Sequence, residues 1–269
     1  MAYEILHFLP LICFVLFPAT FLLTYIWAVL LEHVEPDFPY ISDAAAYSPE
    51  SCVFAQLINI GCVILGITMY IRHRQILELR CVYPIPSSVK RMNDHSVWFA
   101  TASCLGLSMV ANFQETNVKY VHYTGAFMCF GFGTVYFWIQ AIVSHSLSPV
   151  LKNMRVVYLR IALSVLCTVF FVILLTTGIL SHIYFHGDNP RKWNPNDGGW
   201  HYHVASTASE WVVAISFCFY ILSFAEDFRN LSLDHPTLCL LSDSEIIPQS
   251  DPIETEAPIN TEEVLIVAI

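Results

Sequence analysis

Apolar residues in this chain neither alternate nor cluster in short patches. They run on, and the polar residues gather between the runs. A bilayer's hydrocarbon core takes about 20 apolar residues as a helix. Six windows meet or approach that length: 8–31, 53–71, 97–111, 120–143, 161–183 and 204–224. The third is the shortest, although His95 and Ser96 extend it. Inside lipid the backbone must satisfy its own hydrogen bonds, so each run is predicted to be a helix. The expected fold class is all-α: a polytopic six-transmembrane-helix bundle over residues 1–225, followed by an acidic tail, 226–269. The first run is too long for a cleaved signal peptide, no Lys or Arg precedes it and no A-x-A site follows it. It therefore reads as a retained span, one that Pro10 and Pro18 are expected to bend.

Lys and Arg set the orientation. The loop 72–96 carries Arg72, Arg74, Arg80, Lys90 and Arg91. The loop 144–160 carries Lys152, Arg155 and Arg160, and Arg229 follows the last span. Those nine face only Lys119, Arg191 and Lys192 on the other side. The richer side is assigned to the cytoplasm, which makes the N and C termini cytoplasmic. The loops 32–52, 112–119 and 184–203 then face a lumen or the exterior. Under this topology Cys52 is the one cysteine in a lumenal loop and no structural disulfide is expected. The sequon Asn230-Leu231-Ser232 is cytoplasmic and should carry no glycan.

Composition narrows the class. Charged residues make up 13% of the 269 and hydrophobic ones 56%, with a mean hydropathy of +0.57. A soluble domain carries about a quarter charged residues. An ordinary soluble enzyme, a disordered chain and a nucleic-acid binder, which needs a basic face, are all excluded. The net charge of -10 matters by location. The first lumenal loop has Glu32, Glu35, Asp37, Asp43 and Glu50 and no basic residue. His33, His122, His182, His186, His201 and His203 lie on or near that face. In an acidic lumen they would offset the loop's acids, giving a pH-sensing surface. The plainer reading is scattered interfacial polar residues. The tail sets ten acids, from Glu226 to Glu263, against Arg229, and adds Pro236, Pro248, Pro252 and Pro258. It reads as disordered and suited to an unidentified cytoplasmic protein partner. Leu240-Leu241 is a weak dileucine match, and Cys81 and Cys239 are palmitoylation candidates without a specific signal.

Within the spans, Glu210 is the one acid well inside. A charge there is costly and normally faces the bundle interior. It is expected either as a buried anchor or as a proton- or ligand-linked site, with His182, His201 and His203 at similar depth. Gln56 and Asn59 lie three apart on the second helix, and Asn112 and Gln114 close the third. One shared polar cluster with Glu210, holding helices together, is the expectation. Asn112 and Gln114 are read as caps of the third helix or as partners of Glu210. Gly125, Cys129 and Gly133 form a small-residue stripe on the fourth helix that admits a close neighbour, either within the chain or in a second subunit. Tyr25, Trp98, Tyr120, Tyr136, Tyr158, Tyr184, Trp211 and other aromatics near span ends resemble an interfacial belt, and packing between helices fits several of them equally well.

The enzyme reading that these residues offer is an intramembrane zinc hydrolase built on His182 and His186 with Asp188, His201 and His203. His186-Gly187-Asp188-Asn189-Pro190 reads as a turn, which breaks the helical spacing. No HExxH, Walker loop or GxSxG occurs. The expectation is therefore no catalytic residue, no metal and no cofactor.

Specific motifs go further. They are Phe38-Pro39-Tyr40-Ile41-Ser42-Asp43, Pro49-Glu50-Ser51-Cys52, and the third-span end from Ser103 to Gln114 (SCLGLSMVANFQ). Trp193-Asn194-Pro195, Ser209-Glu210-Trp211 and Asp227-Phe228 with Ser232-Leu233 follow. On these residues the chain resembles the damage-regulated autophagy modulator (DRAM) family, within the wider Frag/Sfk-type six-span membrane proteins. The resemblance implies a lysosomal or endosomal multi-pass protein that promotes autophagy and influences cell survival, with no established catalytic residues. Wider relatives imply a different role at the plasma membrane, in phosphoinositide or lipid organisation or in mechanically gated currents. A channel or transporter using Glu210 is the rival class. The acidic tail has no counterpart in the family pattern. From the residues themselves, Phe38-Pro39-Tyr40 is expected as an extended lumenal segment docking on the bundle, and Trp193-Asn194-Pro195 as a turn with an interfacial ring.

Overall fold

The computed structural model describes residues 5–233 except 38, 152, 188, 190 and 191. The tail from Asp234 onward, with Leu240-Leu241 and Cys239, and the zinc candidate Asp188 lie outside the described residues. Helices make up the described fold, and no β-strand occurs among the described residues. In order they are α1 (Phe8–Leu30), α2 (Glu50–Val82), α3 (Ser87–Asn112), α4 (Lys119–Phe127), α5 (Gly133–Leu151), α6 (Met154–Tyr184), α7 (Trp200–Leu222) and α8 (Phe224–Phe228). A π-turn, Met128–Phe132, joins α4 to α5 in one continuous rod. Pro10 falls in the first turn of α1, where its missing donor has no partner to lose.

Five helical segments are long and apolar enough to cross a membrane: Phe8–Leu30, Glu50–Val82, Lys119–Pro149, Met154–Tyr184 and Trp200–Phe228. The chain is a multi-pass membrane protein. The third predicted span belongs to α3, which is 26 residues long but carries Lys90, Arg91 and Asp94 in its first half. It runs antiparallel to α2. Asn93 Nδ2 donates to His73 O at 3.0 Å near one end of the pair, and Asn59 bonds Asn112 at 3.0 Å near the other. The turn between them spans only residues 83–86.

Successive rods pack side by side, and α7 returns to α1, so the order α1, α2, α3, α4–α5, α6, α7 closes into a ring. Aromatic side chains fill its middle. Phe137 stacks on Tyr220 with centroids 3.8 Å apart, and Phe17, Phe21 and Phe54 pack from α1 and α2. Tyr136 is 1% exposed inside this core, and Trp211 packs edge-on to Tyr25 and Phe21. These two aromatics belong to helix packing rather than to an interfacial belt. Trp98, Tyr120 and Tyr158 are exposed on the rods' outer faces.

The small-residue stripe packs within the chain. A Cβ on Gly106 of α3 would lie 2.5 Å from Cys129 N and 2.6 Å from Gly125 O. Only glycine there lets α3 and α4 meet backbone to backbone. Ser103 Oγ donates to Cys129 O at 2.8 Å, giving the π-turn a second backbone contact. Gly133 receives the ring of Phe217 from α7.

The predicted basic loops are corrected. The helices continue through them, because Arg, Gln, Leu and Glu are good helix formers and because two of the arginines find partners inside. Arg72 and Arg160 are 0% and 1% exposed. Both donate to Asp227 Oδ2, at 2.9 and 2.6 Å. Arg72 also reaches Gln75, Gln140 and Ser144. Arg160 reaches Ser144 Oγ, Ser223 Oγ and the Ser223 carbonyl. Both guanidinium groups lie over the ring of Phe224, 5.4 and 4.8 Å from its centroid. Asp227, assigned from the sequence to a solvated tail, is the carboxylate that ties α2, α6 and α8 together.

Candidate functional site

The segment 39–46, between α1 and α2, is a lid built from polar contacts at one end of the ring. Prolines 36 and 39 have no N–H and keep the chain from helix, leaving their carbonyls free as acceptors. Tyr25 Oη donates to Pro36 O at 2.9 Å, and Trp211 Nε1 donates to Pro39 O at 3.0 Å. Tyr40 Oη donates to Ser206 Oγ at 2.7 Å, and Ser206 Oγ in turn donates to Leu174 O at 3.0 Å. The Ile41 N–H donates to Glu210 Oε2 at 2.7 Å, a buried contact. A short 3-10 turn, Asp43–Ala45, then buries Ala44 and Ala45 against the bundle. Burial pushes the Tyr40 phenol well above its ordinary value, partly offset by Ser206, with Glu210, Asp43 and Glu115 adding to the rise. Tyr40 therefore stays a proton donor across the physiological range.

On α7 the lid meets His203, Ser206 and Glu210, which share one face at helical spacing. The Tyr40 ring stands edge-on to His203 at 5.4 Å. The other side of His203 stacks on Trp193 at 4.2 Å. Trp193 is 3% exposed and donates from Nε1 to Gly198 O at 2.9 Å, so the turn that carries it is an interior brace rather than an interfacial ring. Gly198 and Gly199 hold φ values of 79° and 65°. A Cβ at Gly198 would come within 2.2 Å of Tyr184 O.

Glu210 stands between two cavities. A narrow one of about 80 Å³ enters the aromatic core beside Phe17, Phe137 and Cys218. A larger one of about 510 Å³ lies between α4, α6, α7 and the lid. Its lining combines Asp43, Glu115, Glu210 and Tyr40 with Phe127, Phe171, Leu175 and Ile179. At the rim, Tyr123 Oη donates to Glu115 Oε1 at 2.6 Å, so His182 Nε2, 3.1 Å from the same oxygen, is the donor to it. His122 is buried and donates from Nδ1 to Phe113 O at 2.7 Å.

The expected single polar cluster is distributed over separate contacts. Asn59 and Asn112 bond each other, and Ser108 Oγ donates to Asn59 Oδ1 at 2.7 Å, which joins α2 to α3. Gln114 accepts from Asn117 Nδ2 at 3.2 Å within the turn before α4, and Gln56 is exposed. His201 is exposed, while His182 and His203 face Tyr123 and Trp193. Among the described residues, no group of three or more His, Cys, Asp or Glu side chains is placed to share a metal ion. The first loop's acids also divide. Glu32, Glu35 and Asp37 are exposed, whereas Asp43 is 5% exposed and Glu50, bonded to His33, 1%. Tyr40, Ser206, Glu115 and Tyr123 are the site residues that spacing alone did not single out. The polar face 203, 206, 210 of an otherwise apolar helix was the available signal.

A ring of membrane helices, capped at one end by a loop that a buried carboxylate holds by its backbone, defines a polytopic helical membrane protein with a lidded internal pocket. The family model for the Frag1/DRAM/Sfk1/Cwh43P N-terminal domain matches residues 5–231, a range that takes in both the lid and α7. The chain is 37% identical over 231 residues to DNA damage-regulated autophagy modulator protein 2 of Bos taurus, covering 85% of this chain and 86% of that one. It is 33% identical over 228 residues to DNA damage-regulated autophagy modulator protein 1 of Mus musculus, covering 84% and 92%. It is 31% identical over 204 residues to the modulator of macroautophagy TMEM150B of Danio rerio, covering 75% of each. No solved structure matches the chain. The chain belongs to the Frag1/DRAM/Sfk1/Cwh43 family.

Proposed function

We propose that this protein modulates autophagy from the lysosomal membrane, by recruiting or restraining partners rather than by catalysis, with an influence on cell survival. The observation that carries the reading is the extent of the likeness to proteins named autophagy modulators, which runs through the whole helical ring and its lid. In this reading α3 is the sixth span, as its antiparallel packing on α2 favours. Both termini then lie in the cytoplasm, where the acidic tail meets a protein partner. Setting aside the buried Arg72 and Arg160 leaves seven basic residues against three, so the positive-inside bias keeps its direction. The lid and the Glu210 pocket then face the lumen.

The test is deletion of the gene in starved cells, with re-expression of the tagged full chain. Degradative autophagic flux falls on deletion and returns with the chain, and the tag coincides with a lysosomal marker. Unchanged turnover of autophagic cargo, or a tag confined to the plasma membrane, contradicts the proposal.

A further inference from the structure

The larger cavity has the form of a ligand site, and its chemistry identifies the ligand class. Its volume, about 510 Å³, lies within the roughly 300–1,000 Å³ typical of small-molecule pockets. Its lining is of two kinds: three carboxylates, those of Asp43, Glu115 and Glu210, from the lid, from the turn before α4 and from α7, and the rings and aliphatic side chains of α4 and α6. Among the described residues, no Lys or Arg lines it. Two imidazoles, His122 and His182, do line it, each already bonded, to Phe113 O and to Tyr123 Oη, and the Lys119 Nζ lies 5.3 Å from the centroid of the Tyr123 ring.

Two of these carboxylates are aimed by the fold. Glu210 is held at one oxygen by the Ile41 N–H and Glu115 at one oxygen by Tyr123. A carboxyl group has two oxygens that can accept, and only one is bonded in each of these two, so each retains acceptor capacity toward the cavity. A cationic head would find a counter-charge at the carboxylates of Asp43 and Glu115, and an anionic head would be repelled by them. A primary ammonium brings three donors and one positive charge. The apolar lining reaches the outside: Phe127, Ile179 and Ile183 are 51%, 63% and 63% exposed on the surface that lipid would cover. A chain already dissolved in the bilayer could therefore enter tail and all without crossing water.

We infer that the cavity between α4, α6 and the lid binds a single-chain amphiphile with a cationic amine head, the amine at the carboxylates and the chain along Phe171 and Ile179. The inference does not depend on the role in autophagy.

The test uses the full chain in phosphatidylcholine nanodiscs at pH 7, with empty nanodiscs as the baseline. Tritiated octadecylamine is the probe, and stearic acid and stearyl alcohol compete with the same chain under different heads. Saturable amine binding is expected, with the acid and the alcohol at least about tenfold weaker. Glu115→Gln and Glu210→Gln each weaken the amine about three- to tenfold and leave the alcohol unchanged. Glu115 lies in the turn outside the helices, so its variant tests the head site even where Glu210→Gln disturbs the lid. Ile179→Trp, at the exposed lip, weakens every chain by narrowing entry. Equal binding of the three heads would reassign the cavity to ordinary bilayer lipid. The absence of any saturable binding would reassign it to a partner's helix. Carboxylate-to-amide variants that bind the amine as well as wild type would remove the head site. Each of these results overturns the inference.

Discussion

At the Arg72 end of the bundle, two arginines from α2 and α6 share the Asp227 carboxylate of α8, four polar neighbours complete the bonding, and both cations lie over the Phe224 ring. Some 20 Å away along α7, Glu210 bonds a single backbone N–H and otherwise forms a wall of two cavities. Both ends carry ionisable groups inside an apolar ring. One spends its polar groups on the fold, and the other leaves part of their capacity facing an internal space. In a membrane interior, where a charge is costly and normally functional, the degree of saturation tells lock from site.

The comparison breaks most readily at Asp227. Asp227→Ala leaves two buried guanidinium groups without their carboxylate, a loss of about 3–5 kcal/mol. The apparent melting temperature of the detergent-purified chain should fall on the order of 10 °C. Adding Arg160→Met should recover part of that fall, because it removes one of the stranded charges. A variant as stable as wild type would mean that the three-helix lock carries no weight.

A smaller effect sharpens the other end. Tyr40→Phe removes one donor from the lid while Ser206 keeps its bond to Leu174. The cost should be about 0.5–1.5 kcal/mol. Limited proteolysis should cut within 39–46 several-fold faster, with the Arg72 end unaffected. An unchanged cutting rate would mean that the Tyr40–Ser206 bond carries no weight in holding the lid.

How much of this was legible depends on the kind of signal each residue carries. The rods were readable because apolar runs of membrane length have few other uses, and window 8–31 ends one residue from α1. Window 53–71 stopped eleven residues short of the end of α2, since sequence assigns an arginine to water by default. Arg72 bonds Asp227 across 155 positions, and no local pattern announces such a pair. Glu210 stood out as a lone acid in an apolar helix, but its partner is the backbone of Ile41, and a main-chain donor leaves no trace in residue identity. The stripe of Gly125, Cys129 and Gly133 was readable as a packing face. Its counterpart Gly106 was visible only within the SCLGLSMVANFQ motif, without a role.

Hydrogen exchange at the Ile41 amide tests the central claim most directly, namely that a buried carboxylate on α7 holds the lid closed. In the wild-type chain a peptide covering 39–46 should exchange slowly. In Glu210→Ala its Ile41 amide should approach the rate of an open loop, while peptides around Arg72 keep their protection. Rapid exchange of that amide in the wild type, or protection that survives Glu210→Ala, would contradict the account.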